Sequence, residues 1–399
     1  MFDYKRNSKW MLLSLLATTI CSSFVVAGVA SAGAVASVRP TFSFTDQGRS
    51  SVLLMGDGTL MNPYINQTMT ATGTTFDARG WPDLNGAGNY RTLGAGVFDG
   101  NVSDQSQILT RQPVGAPNAG LIRIVRLATS GIAPGSTPPV YQSFIGGEST
   151  DFAFLGVGDM NGDGTDDIVL YNTAVIGFGT VRILFMSPTS AFTVLTTQTP
   201  AVLPSTGGVL DNVPIGVADA DGDGQADIWT IDVVNSNAVE ILISSPTIAS
   251  GTNTESVQVP TTVPTGYTTR GIGPFNQDVQ SDILFEKTTG PNIGLLRVDH
   301  TGAGGGSGGA APVFPILLDG DSSGPSFAEN VAALGDYDGL NGIDILTRMQ
   351  NTLAAANEGA LTVRLMNAAG TSTTAAGSPS WGSPFTYDVI NGAPTPIVP

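Results

Sequence analysis

Asp159-Met160-Asn161-Gly162-Asp163-Gly164-Thr165-Asp166-Asp167-Ile168-Val169-Leu170-Tyr171 joins an acidic, turn-rich loop to a short apolar run. Sixty residues on, Asp219-Ala220-Asp221-Gly222-Asp223-Gly224-Gln225-Ala226-Asp227-Ile228-Trp229-Thr230-Ile231 repeats it in the same order. Weaker copies extend in both directions. Runs of similar character begin at Ser51, Gln107, Asp167, Asp227, Asp282 and Asp344, spaced by 56, 60, 60, 55 and 62 residues. Repetition at a near-constant period is the mark of an architecture assembled from one supersecondary unit.

Each unit contains more than one strand. A second apolar run follows the first, at Leu121, Val181, Val239, Gly294 and Leu361, and a third lies near Val140, Ala191, Ser256, Val313 and Pro384. Small-residue segments such as Phe152-Ala-Phe-Leu-Gly-Val-Gly158 and Pro214-Ile-Gly-Val-Ala218 precede the loops. Four short runs per unit, punctuated by Gly, Pro, Asn and Asp, read as four antiparallel strands. The expected fold is therefore all-β: a β-propeller of six four-stranded blades, loop-strand cores near 43–55, 99–111, 159–171, 219–231, 274–286 and 336–348. Residues 56–95 leave room for a cramped seventh blade. An open array or a pair of β-sandwiches is the competing architecture. The Gly-rich 302–309 stretch reads as a loop inside one domain spanning 37–399, because the repeat resumes on schedule behind it.

The two sharpest loops share the pattern D-x-[DN]-G-D-G-x-x-D. Calcium takes six to eight oxygens, and oxygens at alternate loop positions can wrap one side of such an ion. In the first loop these are Asp159, Asn161, Asp163, the backbone carbonyl of Thr165 and Asp167. In the second they are Asp219, Asp221, Asp223, the carbonyl of Gln225 and Asp227. Glycine at the sixth position permits the positive φ of a sharp turn. An EF-hand would need Glu at the twelfth position and a helix beyond, whereas Leu170 and Thr230 stand there within strand-like runs. An acidic turn without an ion is the plain alternative. Two carboxylates ~4 Å apart repel by about 4 kcal/mol at an effective dielectric near 20, so a cation is the expected partner. The remaining loops are poorer. Asp336, Asp338 and Asp344 keep three ligand positions, while Leu340 removes one and Asn341 supplies the turn. Asn276, Asp278 and Asp282 follow Pro274 instead of an acid. Asp99, Asn101 and Ser103 lead to neutral Gln107, and nothing remains of the site around Thr45 and Gln47.

These loops and the D-I-[VLW] strands behind them resemble the FG-GAP or VCBS-type repeats of integrin-α-like propellers. The likeness extends over nearly the whole chain after its first 36 residues, closely in the third and fourth repeats and approximately elsewhere. It implies a propeller whose calcium ions sit in strand-connecting hairpins and stiffen the blades. It also implies extracellular adhesion, recognition or, in some members, lyase roles, without choosing among them.

The N-terminal segment bears on compartment. Lys5, Arg6 and Lys9 precede an apolar run from Trp10 to about Ala30, and small residues follow at Ala30-Ser-Ala32 and Ala34-Val-Ala36. This is the layout of a secretory signal peptide over 1–36, with cleavage near 32 or 36; an uncleaved anchor is the alternative. Ile20 before Cys21 argues against lipidation, which needs a small residue there. Loss of residues 1–32 removes Lys5, Arg6, Lys9 and Asp3 and takes the formal charge from −17 to −19, leaving Lys287 as the one lysine. Such a chain offers no basic footprint for nucleic acid or anionic membranes. It would be secreted or periplasmic, with no membrane span after processing.

Catalytic chemistry is thinly provided. Cys21 is the sole cysteine and His300 the sole histidine, so a thiol nucleophile or a Ser-His-Asp triad has little to work with. A calcium-assisted polysaccharide lyase, with an arginine or Lys287 as base, is the enzymatic alternative. The leading expectation is a calcium-binding interaction module for glycans or cell-surface proteins, with Trp81, Trp381 and Tyr387 as candidate stacking residues, each of which would serve blade packing equally well.

Overall fold

The structure, a computed structural model, describes residues 52–55, 64–66, 78–80, 91–99, 106–127, 140–174, 179–189, 193–199, 203, 205–206, 209–235, 237–244, 255–275, 280–289, 296–299, 313–316, 328–336, 343–350, 361–364, 366 and 395–396. The expected signal segment, His300, the three candidate stacking residues and the 302–309 stretch lie outside them. No helix among the described residues is long and apolar enough to cross a membrane.

The described elements are all strands. β1 (Val52–Met55), β2 (Tyr64–Asn66) and β3 (Ala78–Gly80) form the first sheet. β4 (Arg91–Gly96), β5 (Gln107–Arg111), β6 (Leu121–Leu127) and β7 (Val140–Gly147) form the next. β8 (Phe152–Gly158), β9 (Asp167–Asn172), β10 (Val181–Met186) and β11 (Val194–Gln198) follow in the same meander. A small hairpin, β12 (Ser205–Thr206) with β13 (Val209–Leu210), precedes the sheet of β14 (Asn212–Ala218), β15 (Asp227–Asp232), β16 (Ala238–Ile243) and β17 (Glu255–Thr262). Then come β18 (Tyr267–Gly273), β19 (Asp282–Lys287), β20 (Leu296–Asp299) and β21 (Val313–Ile316), and after them β22 (Ala328–Gly335), β23 (Asp344–Gln350) and β24 (Leu361–Arg364). β25 (Thr395–Pro396) returns to pair antiparallel with β1 through Leu54 and Met55. It fills the place beside β1 that β4 holds beside β5, so both ends of the repeat array contribute to one sheet.

The first strands of successive sheets lie side by side: β4 against β8, β8 against β14, β14 against β18 and β18 against β22. The sheets thus form a β-propeller-like ring. Packing explains why the strands behind the loops are apolar on both faces rather than alternating. Along β9, Ile168 and Leu170 join Phe98, Leu109, Ile122 and Ile124 of the preceding sheet, while Val169 joins Val217, Ile228 and Leu242 of the following one. Along β15, Ile228 turns back in the same way, and Trp229 and Ile231 turn forward to Ile272, Ile283 and Phe285. A sheet sandwiched between two others has no solvent face, so its central strands run near-continuously hydrophobic.

Crowding sets the small residues of the inner strands. Register shifts fall at the same phase in all five: Thr92/Gly94, Phe154/Gly156, Pro214/Gly216, Thr269/Gly271 and Val331/Ala333. A Cβ placed on Gly156 would lie 2.8 Å from Cγ2 of Val217 in the next inner strand, and one on Gly271 would lie 2.3 Å from Cδ1 of Leu334. Glycine here marks a bulge where neighbouring backbones approach closely.

Candidate metal loops

Every acidic loop links an inner strand to the second strand of its sheet, so the repeat brings the loops to equivalent positions around the ring. The register fixes their alignment. Gly158, Ala218, Gly273 and Gly335 pair with Asp167, Asp227, Asp282 and Asp344, so the first loop position is held by Asp159, Asp219, Pro274 and Asp336. In the β4–β5 connection Gly96 pairs with Gln107. The first position there belongs to Val97, and Asp99 occupies the third. That loop is two residues longer than its neighbours, which is why Asp99 reads in the sequence as the opening acid.

The first-position carboxylate is the hub of each well-formed loop. Asp159 Oδ1 accepts hydrogen bonds from the backbone N–H groups of Gly162 (2.7 Å) and Asp163 (3.0 Å), and Oδ2 accepts one from Gly164 (2.6 Å). Asp219 repeats this with Gly222 (2.7 Å) and Gly224 (2.9 Å). Three donors can converge on one carboxylate because the chain turns through positive φ twice, at Gly162 (74°) and Gly164 (85°), and again at Gly222 (82°) and Gly224 (86°). The fourth-position glycine therefore matters as much as the sixth, a requirement the metal-ligand pattern alone does not expose.

Asp163 Oδ1 accepts from Thr165 N–H (2.9 Å), and Asn161 Oδ1 from Asp163 N–H (3.0 Å). In the second loop Asp223 receives both the Gln225 N–H (2.7 Å) and its Nε2 (3.0 Å), while Asp221 Oδ1 receives Asp223 N–H (3.1 Å). Both Asp163 and Asp223 are exposed.

The ninth-position acid has a structural task besides any ligand role. Asp167 accepts Met160 N–H (3.0 Å) from its own loop and Met186 N–H (2.8 Å) from the end of the third strand. Asp227 does the same with Ala220 (2.8 Å) and Ser244 (2.6 Å). Asp282 holds Phe275 N–H, Asp344 holds Met366 N–H, and neutral Gln107 holds Phe98 N–H through Oε1. The bracket outlives the other ligand positions, which explains why the D-I motif survives in loops that have lost their remaining acids.

The second loop presents the best cation geometry. One carboxylate oxygen from each of Asp219, Asp221 and Asp227 lies within 4.8 Å of the other two. Asp223 is not part of that group. In the first loop the place of Asp221 is taken by Asn161. Asp338, Asn276, Asp278, Asn101 and Ser103 lie outside the described residues; Asp336 and Asp344 are both buried at the ends of theirs.

Burial dominates the electrostatics of both loops. Burial raises the Asp159 carboxyl to about 6, with Asp163 adding to the shift. Burial likewise raises Asp219 to about 6 and Asp227 to about 8, against the pull of their N–H donors and with acidic neighbours pushing the same way. Asp167 is driven well above the ordinary carboxylate range, burial again leading. Among the described residues, the ion pairs engage Asp99, Glu148, Glu286 and Asp299, and none of these loop acids. Buried carboxylates need a compensating charge or must neutralise. In the second loop the three converging carboxylates could hold a cation that meets this need.

Several described basic side chains are engaged in structural contacts. Arg111 donates to the carbonyls of Phe152, Glu148 and Ser149. Arg182 pairs with Glu148 at 2.5 Å and stacks on the Phe152 ring, Arg270 pairs with Glu286, and Arg297 with Asp299. Lys287 lies over the Tyr267 ring. Compared with known proteins, the chain matches no family model and no curated relative.

Proposed function

We propose that this protein is a secreted, calcium-binding propeller of six blades that serves as an interaction module for extracellular glycans or cell-surface proteins. The observation that carries the reading is the convergence of Asp219, Asp221 and Asp227 within a loop whose sequence recurs at Asp159–Asp167 in the same phase of the ring. Six blades are supported by five four-stranded sheets and one three-stranded sheet among the described residues, with β2 and β3 completing the first sheet out of the 56–95 segment. Export is supported by the basic, apolar and A-x-A succession over 1–36.

Calcium acts here as a structural ion. By neutralising the loop acids it stiffens the turn that starts each second strand, and it holds the rim of the ring in the form a partner meets. The residues Asp159, Asn161, Asp163, Asp167 and the Thr165 carbonyl would hold one ion, and Asp219, Asp221, Asp223, Asp227 and the Gln225 carbonyl another. Asp336, Asp338 and Asp344 are candidates for a third. An interaction role accords with a chain in which Arg111, Arg182, Arg270 and Arg297 make structural contacts and whose sole histidine adjoins a glycine-rich stretch. The test is a binding screen of glycans and surface proteins in calcium and in chelator. Calcium-dependent capture of a defined ligand is expected; turnover of a polysaccharide with release of unsaturated ends would favour the lyase instead.

A further inference from the structure

Adjacent loops are joined by contacts that repeat around the ring. The eighth-position N–H of one loop donates to the first-position carbonyl of the loop before it: Asp166 to Val97 (2.9 Å), Ala226 to Asp159 (2.7 Å), Ser281 to Asp219 (2.7 Å) and Ile343 to Pro274 (3.1 Å). The seventh-position side chain reaches back as well. Gln280 Nε2 donates to the Asp221 carbonyl at 3.1 Å. The stem of Gln225 crosses the first loop, its Cγ only 3.3 Å from where a Cβ on Gly162 would lie.

Gln225 is 7 % exposed. Its Nε2 is anchored on Asp223 of its own loop at 3.0 Å, while its Oε1 is buried without a hydrogen-bond partner. A buried amide oxygen left unsatisfied is costly, and its position between two acidic loops gives a cation or its water shell as the natural partner. We propose that the loops at 159–167 and 219–227 take up divalent, oxygen-preferring cations as a linked pair, with Gln225 as the bridge.

The coupling follows from the connections. A cation in the first loop fixes Asp159, whose carboxylate organises that loop and whose carbonyl holds Ala226. Ala226 lies between Gln225 and Asp227, a member of the second loop's converging group. Ordering the first loop therefore orders part of the second in advance, so the second ion meets a smaller entropic cost. The linkage is confined to this pair, because the next loop along begins with Pro274 and the previous one with Val97.

This inference rests on the calcium reading, and its test separates the two. Calorimetric calcium titrations would compare wild type with Asp163→Ala, which cripples the first loop, and Asp221→Ala, which cripples the second. Asp163→Asn and Asp223→Asn, both at the fifth position, stand in if an alanine variant misfolds. Uptake at 336–344 is common to all and subtracts. Each site should bind about fivefold or more tightly when the other is filled, within the usual range of coupling between sites. The wild-type isotherm is then steeper than the sum of the two single-loop variants. In Gln225→Leu, which keeps the Asp159–Ala226 backbone bond but loses the amide, the linkage should fall to less than about half its wild-type factor. A wild-type isotherm equal to the sum overturns the linkage and leaves the calcium sites standing. Undiminished linkage in Gln225→Leu removes Gln225 as the bridge. No calcium uptake by wild type overturns both.

Discussion

Asp227 and Asp223 sit four residues apart in one loop, yet they answer to different physics. Asp227 is 1 % exposed and accepts hydrogen bonds from two buried backbone N–H groups, those of Ala220 and Ser244. Asp223 is exposed and caps only Gln225. Leaving a buried donor unsatisfied costs about 1–3 kcal/mol, so Asp227→Ala should destabilise the protein by at least about 2 kcal/mol even in chelator. Asp223→Ala should cost about 1 kcal/mol or less there and show its effect only when calcium is present. Urea unfolding of both variants in chelator and in calcium distinguishes the two roles; equal losses in chelator would refute the bracket. The raised carboxyls set a pH dependence of definite sign. With folded values of about 6 for Asp159 and Asp219 and about 8 for Asp227, against about 3.9 in the unfolded chain, the folded state binds more protons between pH 4 and 8. Stability from these groups is therefore present at low pH and lost as pH rises through 6 to 8. Metal-free protein should melt at a lower temperature at pH 8 than at pH 5, and the gain from calcium should be larger at pH 8, where protons no longer compete. Thermal melts across that range, with chelator and with calcium, check both statements.

At the scale of the strand, the inner-strand bulge is the feature most exposed to disproof. Gly156 faces Val217 and Gly271 faces Leu334 across gaps too small for a methyl group. Overpacking a tight contact costs typically about 1–3 kcal/mol, so Gly156→Ala and Gly271→Ala should each lower stability by that amount, whereas Gly147→Ala, which has open space around it, should not. Denaturant midpoints of the three variants decide it. The strands behind the loops were legible from sequence: β5, β9, β15, β19 and β23 begin at Gln107, Asp167, Asp227, Asp282 and Asp344, where the polar-to-apolar step places them. That step is visible because a local turn and a doubly buried strand both leave strong compositional marks. Three features were hidden. The Val97 register depends on which N–H Gln107 accepts, a contact across a loop of unusual length. The β12–β13 hairpin interrupts the period with two-residue strands too short to carry any pattern. β25 is defined by its pairing with β1, far away in the chain, while its own Thr395–Pro396 has no strand character. Among site residues, the place of Asp159 and Asp219 at the head of the acidic pattern was legible, and their hub role was not. The bracket at the ninth position and the reach of Gln225 into the neighbouring loop were not legible either, because both are contacts between strands and sheets that spacing within one loop does not encode.

Around the whole ring, the loops are where adjoining sheets are stitched together, so a charge left uncompensated in one loop weakens a junction as well as a turn. Calcium binding should thus register in global stability. Extracellular calcium modules bind at about 10⁻⁴–10⁻³ M, so ~10 mM calcium lies roughly 10–100 times above the dissociation constant and stabilises by about 1.4–2.7 kcal/mol per occupied site. Magnesium, held to a small octahedral shell and reluctant to shed water, should substitute poorly. The most direct measurement is the melting temperature of wild type and of the Asp163→Ala/Asp221→Ala double variant, each in chelator and in ~10 mM calcium at pH 7.5. The account predicts a rise of several degrees for wild type that chelator reverses and magnesium fails to reproduce, with a far smaller rise for the double variant. Melting curves that coincide with and without calcium in both proteins would contradict it, and would leave the loops as acidic turns held by their own backbone.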